Sequence, residues 1–264
     1  MAIMDVTFKS YCLQRNVTCK VILPIEDTGN PQPNPPGKPE RYKTLYLLHG
    51  YAGDETDWTY GSRIFKLARD RNLAVVMPSG ENSFYLDDEG REEYYGSFVG
   101  KELVEITRKM FPLSCKREDT CIGGLSMGGF GSLLIGSRFA QTFGGIIALS
   151  GAFILYDLLY NPNKGFLQIH SQAFYERVFG DLQSVVGSER DPFSMCIKAH
   201  KEKMMPRLYM ACGTSDFLYK NNLHMRDALE KEGIIVKWEE GAEEHTWIFW
   251  DAFIEKAIDW YYNE

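Results

Sequence analysis

Ser126 stands between two glycines in Gly124-Leu-Ser-Met-Gly128, where an apolar run ending at Leu125 gives way to a helix-like stretch over Ser132 to Ala140. The spacing G-x-S-x-G has a steric meaning. A chain that bends sharply from strand to helix does so most easily where the neighbours lack a Cβ, and a serine at the apex then presents Oγ clear of the backbone. Such a hydroxyl can attack a carbonyl carbon once a base removes its proton, because serine is a weak nucleophile at neutral pH. The base for this chemistry is a histidine, and the histidine needs a carboxylate to fix its tautomer and stabilise the imidazolium.

These residues resemble the nucleophile elbow of the α/β hydrolases, in which serine, acid and base follow in that chain order. Of the five histidines, only His245 falls in a loop after the last β-like run, in Gly241-Ala-Glu-Glu-His-Thr-Trp247. His49 precedes the serine, His170 and His200 belong to a long intervening segment, and His224 to a helix. The acid is expected after the run Arg207 to Gly213, where Asp216 closes Thr214-Ser-Asp; capping the following helix is its alternative role. Asp251 falls inside the terminal helix and reads as a solvated or helix-pairing carboxylate. Oxyanion donors are expected from the backbone N–H of Met127 and of Tyr51 in the His49-Gly-Tyr loop, with the His49 ring bonded to neighbouring backbone.

Positioning these groups requires a sheet. Apolar, β-rich runs between turn signals predict strands near 3–9, 17–24, 43–49, 73–78, 118–124, 144–150, 206–212 and 234–240. From the third onward they alternate with helical segments at Ile64 to Arg71, Glu92 to Met110, Gly129 to Phe139, Asn222 to Glu232 and Thr246 to Tyr261. That alternation predicts an α/β fold: an eight-stranded, mostly parallel sheet with helices on both faces, in one domain spanning 1–264. The proline-rich stretch Asp27 to Arg41 reads as an exposed hairpin loop. Residues 151–205 are far longer than a crossover needs and read as a helical insertion over the carboxyl ends of the strands, forming a wall of the substrate pocket with aromatics such as Phe153, Phe166 and Phe174.

The chain has 264 residues, 44% hydrophobic and 25% charged, with a net charge of −7. This acidic balance argues against nucleic acid and anionic membranes as partners. No apolar stretch reaches the length of a membrane span, and Met1-Ala-Ile-Met-Asp-Val lacks the pattern of an export signal, so a cytoplasmic location is expected. The six cysteines are scattered, with Cys121 and Cys212 inside apolar runs, and read as reduced; no C-x-x-C or His/Cys spacing suits zinc. Neither metal nor cofactor is expected, and homo-oligomerisation is left open.

Five motifs coincide: L-L-H-G-Y-A-G at 47–53, M-P-S-G-E-N-S-F-Y at 77–85, G-L-S-M-G-G-F-G at 124–131, C-G-T-S-D-F-L-Y at 212–219 and E-H-T-W-I-F-W-D at 244–251. Together they resemble the esterase D group of α/β hydrolases, in its tributyrin esterase and feruloyl esterase branch. The resemblance implies a serine carboxylesterase for short acyl or hydroxycinnamoyl esters, including those on plant cell-wall polysaccharide fragments. It implies Ser126 as nucleophile, Asp216 as acid, His245 as base, and Tyr51 and Met127 as oxyanion donors. Trp58, Phe84, Tyr85 and Phe130 lie in or beside the motifs and are candidates to hold an aromatic acyl group. An acetyl (xylan) esterase and an S-formylglutathione hydrolase-like thioesterase are the alternatives. The second is disfavoured by Leu125 before the serine and by His49-Gly-Tyr-Ala-Gly53, where those enzymes usually carry His and Ser-Gly-Leu-Thr-Cys. A non-catalytic scaffold would lack a member of the set, and none is lacking.

Overall fold

The computed structural model describes residues 1–25, 40–160 and 171–263. Among these described residues ten strands occur in chain order: β1 (Ala2–Lys9), β2 (Asn16–Leu23), β3 (Thr44–Leu48), β4 (Ala74–Pro78), β5 (Asp87–Asp88), β6 (Glu93–Tyr94), β7 (Thr120–Leu125), β8 (Gly145–Leu149), β9 (Arg207–Gly213) and β10 (Val236–Gly241). Eight form one sheet in the order β1-β2-β4-β3-β7-β8-β9-β10, while β5 and β6 pair as a small ribbon. β1 and β2 are antiparallel to each other, β2 is antiparallel to β4, and every later neighbour is parallel. Each of the eight predicted strands is present with its ends within two residues of the expected ones.

Alternation along the central strands distributes their side chains to the two faces. Tyr46, Val76, Ile146 and Met210 join one apolar cluster, while their neighbours Leu45, Val75, Ile147 and Ala211 join another. Helices α1 (Asp57–Gly61), α2 (Ile64–Asp70) and α11 (Trp247–Asn263) cover the second cluster. The first is covered by α3 (Tyr95–Ser97), α4 (Leu103–Met110), α5 (Met127–Arg138), α9 (Pro192–Lys201) and α10 (Tyr219–Lys231). Because both faces are covered, β3, β4 and β8 are buried along their whole length, as parallel strands in such sheets are.

Two expectations need correction. The helix expected from Glu92 begins at Tyr95, since Glu93–Tyr94 is taken up by the ribbon, and it passes through a π-helical turn over Phe98–Glu102 before α4. Residues 151–205 do carry helices, namely α6 (Leu155–Tyr160), α7 (Gln172–Phe179), α8 (Leu182–Val185) and α9. Their aromatics, however, have a core to fill: Tyr175 and Phe179 are buried, and Phe179 packs on Phe84 and Phe130 with centroids 5.0 and 6.1 Å away. Phe166, His170 and nearly all of the proline-rich stretch lie outside the described residues.

Candidate active site

Five neighbouring parallel strands, β3, β7, β8, β9 and β10, deliver the chemistry-bearing residues just beyond their carboxyl ends. Ser126 follows β7 at φ 54°, ψ −117°, a region that a side chain rarely adopts. The glycines around it are required by contact. A Cβ at Gly124 would lie 2.5 Å from the Gly128 backbone, and one at Gly128 would lie 2.5 Å from Leu48 O. The bend is secured by Ser126 N–H donating to Leu149 O at 2.9 Å and by Ser126 O accepting from Ala152 N–H at 2.9 Å.

His245 Nε2 stands 3.0 Å from Ser126 Oγ, and its Nδ1 stands 2.8 Å from Asp216 Oδ2. A carboxylate only accepts, so the ring carries its proton on Nδ1 and offers the Nε2 lone pair to the serine. The Asp216 side chain is fully buried beneath a His245 side chain that retains 18% exposure. Asp216 stands where the acid was expected, and its Oδ1 also accepts the Leu218 N–H at 2.8 Å; this bond secures the turn ahead of α10 without capping the helix, whose N-cap is Leu218. Asp251 is engaged elsewhere, accepting from Arg63 Nε and Arg63 N–H, each at 2.7 Å.

Met127 opens α5, so its N–H is among those a helix leaves without an internal partner and points toward the elbow. Across from it runs the loop after β3. His49 braces that loop: Nδ1–H donates to Gly50 O and Nε2 accepts from Gly80 N–H, both at 2.7 Å. Burial lowers the His49 pKa from its ordinary value, which keeps the ring neutral and both bonds intact. Ala52 N–H donates to Asn82 Oδ1 at 2.7 Å, tying the loop to the segment after β4.

The cleft over Ser126 has a volume of about 360 Å³ and is lined by Tyr51, Phe84, Met127, Phe217, Trp247 and Trp250, among others. Of the four aromatic residues considered from sequence, only Phe84 lines it. Trp58, Tyr85 and Phe130 are buried behind. Trp58 Nε1–H donates to Leu48 O at 2.9 Å, Tyr85 OH donates to His49 O at 3.0 Å, and Phe130 packs edge-on against Phe84. Within the insertion, among the described residues, only Ala152 lines the cleft; Phe174 meets the Tyr51 ring edge-on at 5.4 Å. The residues missed were Phe217, Trp247 and Trp250, although each lies within five positions of Asp216 or His245 in the sequence. On the other side of the Tyr51-Ala52 step lies a polar basin of about 460 Å³ bordered by Asp54, Asn82, Asp88, Arg91 and Arg177.

The sequence model of the Esterase family matches residues 11–234. The chain belongs to this esterase family. It is 47% identical to an acetyl esterase of Caldicellulosiruptor saccharolyticus over 261 residues, 98% of either chain. FphF, a fluorophosphonate-binding serine hydrolase of Staphylococcus aureus, superposes on the esterase with a TM-score of 0.83 at 32% identity, over 100% of this chain and 99% of the other. An S-formylglutathione hydrolase from the same organism gives 0.81 at 32% identity, over 98% of each chain. The esterase is thus a carboxylic ester hydrolase of the serine type, with the α/β-hydrolase fold. No helix among its described residues is long and apolar enough to cross a membrane, and none of their His, Cys, Asp and Glu side chains cluster as a metal site would require.

Proposed function

We propose that the esterase hydrolyses acetyl and other short acyl esters of polar alcohols through Ser126, His245 and Asp216. The observation that carries this reading is the unbroken run of hydrogen bonds from Ser126 Oγ through both His245 nitrogens to Asp216. His245 takes the serine proton as Oγ attacks the ester carbonyl, and Met127 and Tyr51 N–H hold the oxyanion. The imidazolium then returns the proton to the departing alcohol, leaving an acyl-serine that water cleaves by the same route in reverse order. Asp216 keeps its charge throughout and stabilises the imidazolium.

The small aromatic cleft supports a short acyl group, in line with the acetyl esterase relative. The neighbouring basin supports a neutral, hydroxyl-rich alcohol such as an oligosaccharide. Several of its charges already have partners: Arg15 pairs with Glu81, Arg91 lies 3.5 Å from Asp88 and 3.8 Å from Glu93, and Asp54 accepts from Thr56 Oγ1 at 2.6 Å. Paired carboxylates and guanidinium groups present many donors and acceptors without selecting for a charged ligand. A hydroxycinnamoyl acyl group is the second reading, favoured by the rings of Phe84, Phe217, Trp247 and Trp250 along the cleft.

The test is a panel of p-nitrophenyl acetate, p-nitrophenyl butyrate, methyl ferulate and an acetylated xylo-oligomer, run on the parent and on Ser126→Ala. Acetyl esters turned over fastest, with activity lost by about 10⁴-fold or more in the variant, is the expected result. A folded Ser126→Ala that retains activity overturns the assignment, and ferulate as the best substrate selects the second reading.

A further inference from the structure

The loop bearing His245 lies between the end of β10 at Gly241 and the start of α11 at Trp247, and so has no sheet register to hold it. Besides Asp216, two rings flank the imidazole: Phe217, with centroids 4.6 Å apart, and Trp250, at 4.8 Å and perpendicular. Trp250 is fixed from behind, since its Nε1–H donates to Ser150 Oγ at 3.1 Å. Ser150 is fully buried just past β8, with φ 46° in the left-handed region that disfavours serine, and its N–H is bound to Ala211 O at 2.7 Å. The next residue along β9 is Cys212, equally buried, with its thiol pushed up by burial and then by the charge of Asp216.

We infer that Ser150 is a positioning residue: its hydroxyl anchors Trp250, the ring packed against the base, while its N–H ties it to the end of β9, the strand that leads to the acid, and so it holds His245 in place against Asp216. The inference rests on the proposed roles of those two residues. A base on an unregistered loop has two soft side-chain torsions, and catalytic geometry tolerates little error. Anchoring the flanking ring to a buried hydroxyl removes that freedom. A strained, buried, non-glycine residue beside a reactive centre is where such a device is expected.

Two variants test the link. Ser150→Ala removes the acceptor, and Trp250→Phe keeps a ring but removes the donor. With p-nitrophenyl acetate, Ser150→Ala is expected to lower kcat by about 3- to 10-fold with KM within about twofold, the scale of one lost hydrogen bond. The Ser150→Ala/Trp250→Phe double variant should be no worse than the poorer single, since both cut one link. Parental kcat in folded Ser150→Ala, or single losses that multiply in the double, overturns the inference, as does a lower melting temperature with kcat unchanged. Should Ser150→Ala not fold, Trp250→Phe decides, and parental kcat in that variant overturns the inference. His245→Ala serves as reference: an active His245→Ala overturns the triad reading itself, whereas an inactive one beside an unaffected Ser150→Ala overturns only the positioning role.

Discussion

Asp216 gives one carboxylate oxygen to His245 Nδ1 at 2.8 Å and the other to the N–H of Leu218 at 2.8 Å. The acid is therefore clamped to the start of the turn before α10, and its orientation does not depend on the histidine. Asp216→Asn should keep the clamp but present an amide N–H toward Nδ1, favouring the wrong tautomer. A loss in kcat on the order of 10⁴ is expected, close to but short of that in His245→Ala. Asp251→Asn, which breaks only the partly exposed contact with Arg63, should leave kcat near parental. Steady-state kinetics on the three variants checks the order; a crippled Asp251→Asn beside a healthy Asp216→Asn would falsify the assignment of the acid.

His49 makes stability depend on pH with a definite sign. Its native pKa is lowered by burial, so the folded protein holds the ring neutral while the unfolded chain takes up a proton near the ordinary histidine value of about 6.5. The contribution is complete above that value and is lost as pH falls through it toward the lower native one. Melting temperatures between pH 8 and pH 5 should drop more steeply for the parent than for His49→Gln. Equal slopes would remove His49 from the account.

Thiol reactivity should single out one site. Cys115 is exposed, while burial pushes Cys19 and Cys196 up to about 12; burial followed by the charge of Glu102 does the same for Cys12. Cys121 and Cys212 are also raised by burial. A disulfide reagent at pH 8 should titrate one thiol in the native protein, none in native Cys115→Ser, and all six in guanidinium. Rapid labelling of a second native thiol is the contrary outcome.

The insertion and the cleft should respond differently to truncation. Phe179→Ala removes a fully buried ring packed on Phe84 and Phe130 and should cost about 3–5 kcal/mol of stability. Phe217→Ala and Trp247→Ala alter the lining itself and should change the ratio of butyrate to acetate hydrolysis, by roughly 10-fold or more for each methylene-sized change in fit. Denaturant melts and kcat/KM on the two esters separate the two effects. A shift in ester ratio from Phe179→Ala with little loss of stability would place selectivity in the insertion after all.

The sheet was legible because its strands are apolar, β-branched runs interrupted by turn residues, and because the strand-helix alternation permits few topologies. The reactive groups were legible through spacing and order: Gly124 and Gly128 mark the bend at Ser126, and Asp216 and His245 follow the right strands. Aromatic residues were not resolved in the same way. Trp58, Tyr85 and Phe130 are core while Trp247, Trp250 and Phe217 line the cleft, yet both groups are ring-bearing residues next to motif loops. What separates them is the direction in which each leaves the backbone, and composition does not encode that. The ribbon of β5 and β6 is two residues per strand, too short for any periodicity to register.

The unusual backbone at Ser126 has a consequence for how this molecule can evolve and be engineered. Ala52, Phe84, Tyr85 and Ser150 share its positive φ, so strained non-glycine positions crowd around one cleft while the sheet beneath is regular. Each such position costs on the order of 1 kcal/mol or more, and the load is borne by the packed layers rather than relieved locally. Selection for thermal robustness alone would erode the cleft first, since glycine at any of these positions relaxes the chain at once. Sequences drifting without pressure for turnover should therefore lose the reactive geometry well before they lose the fold.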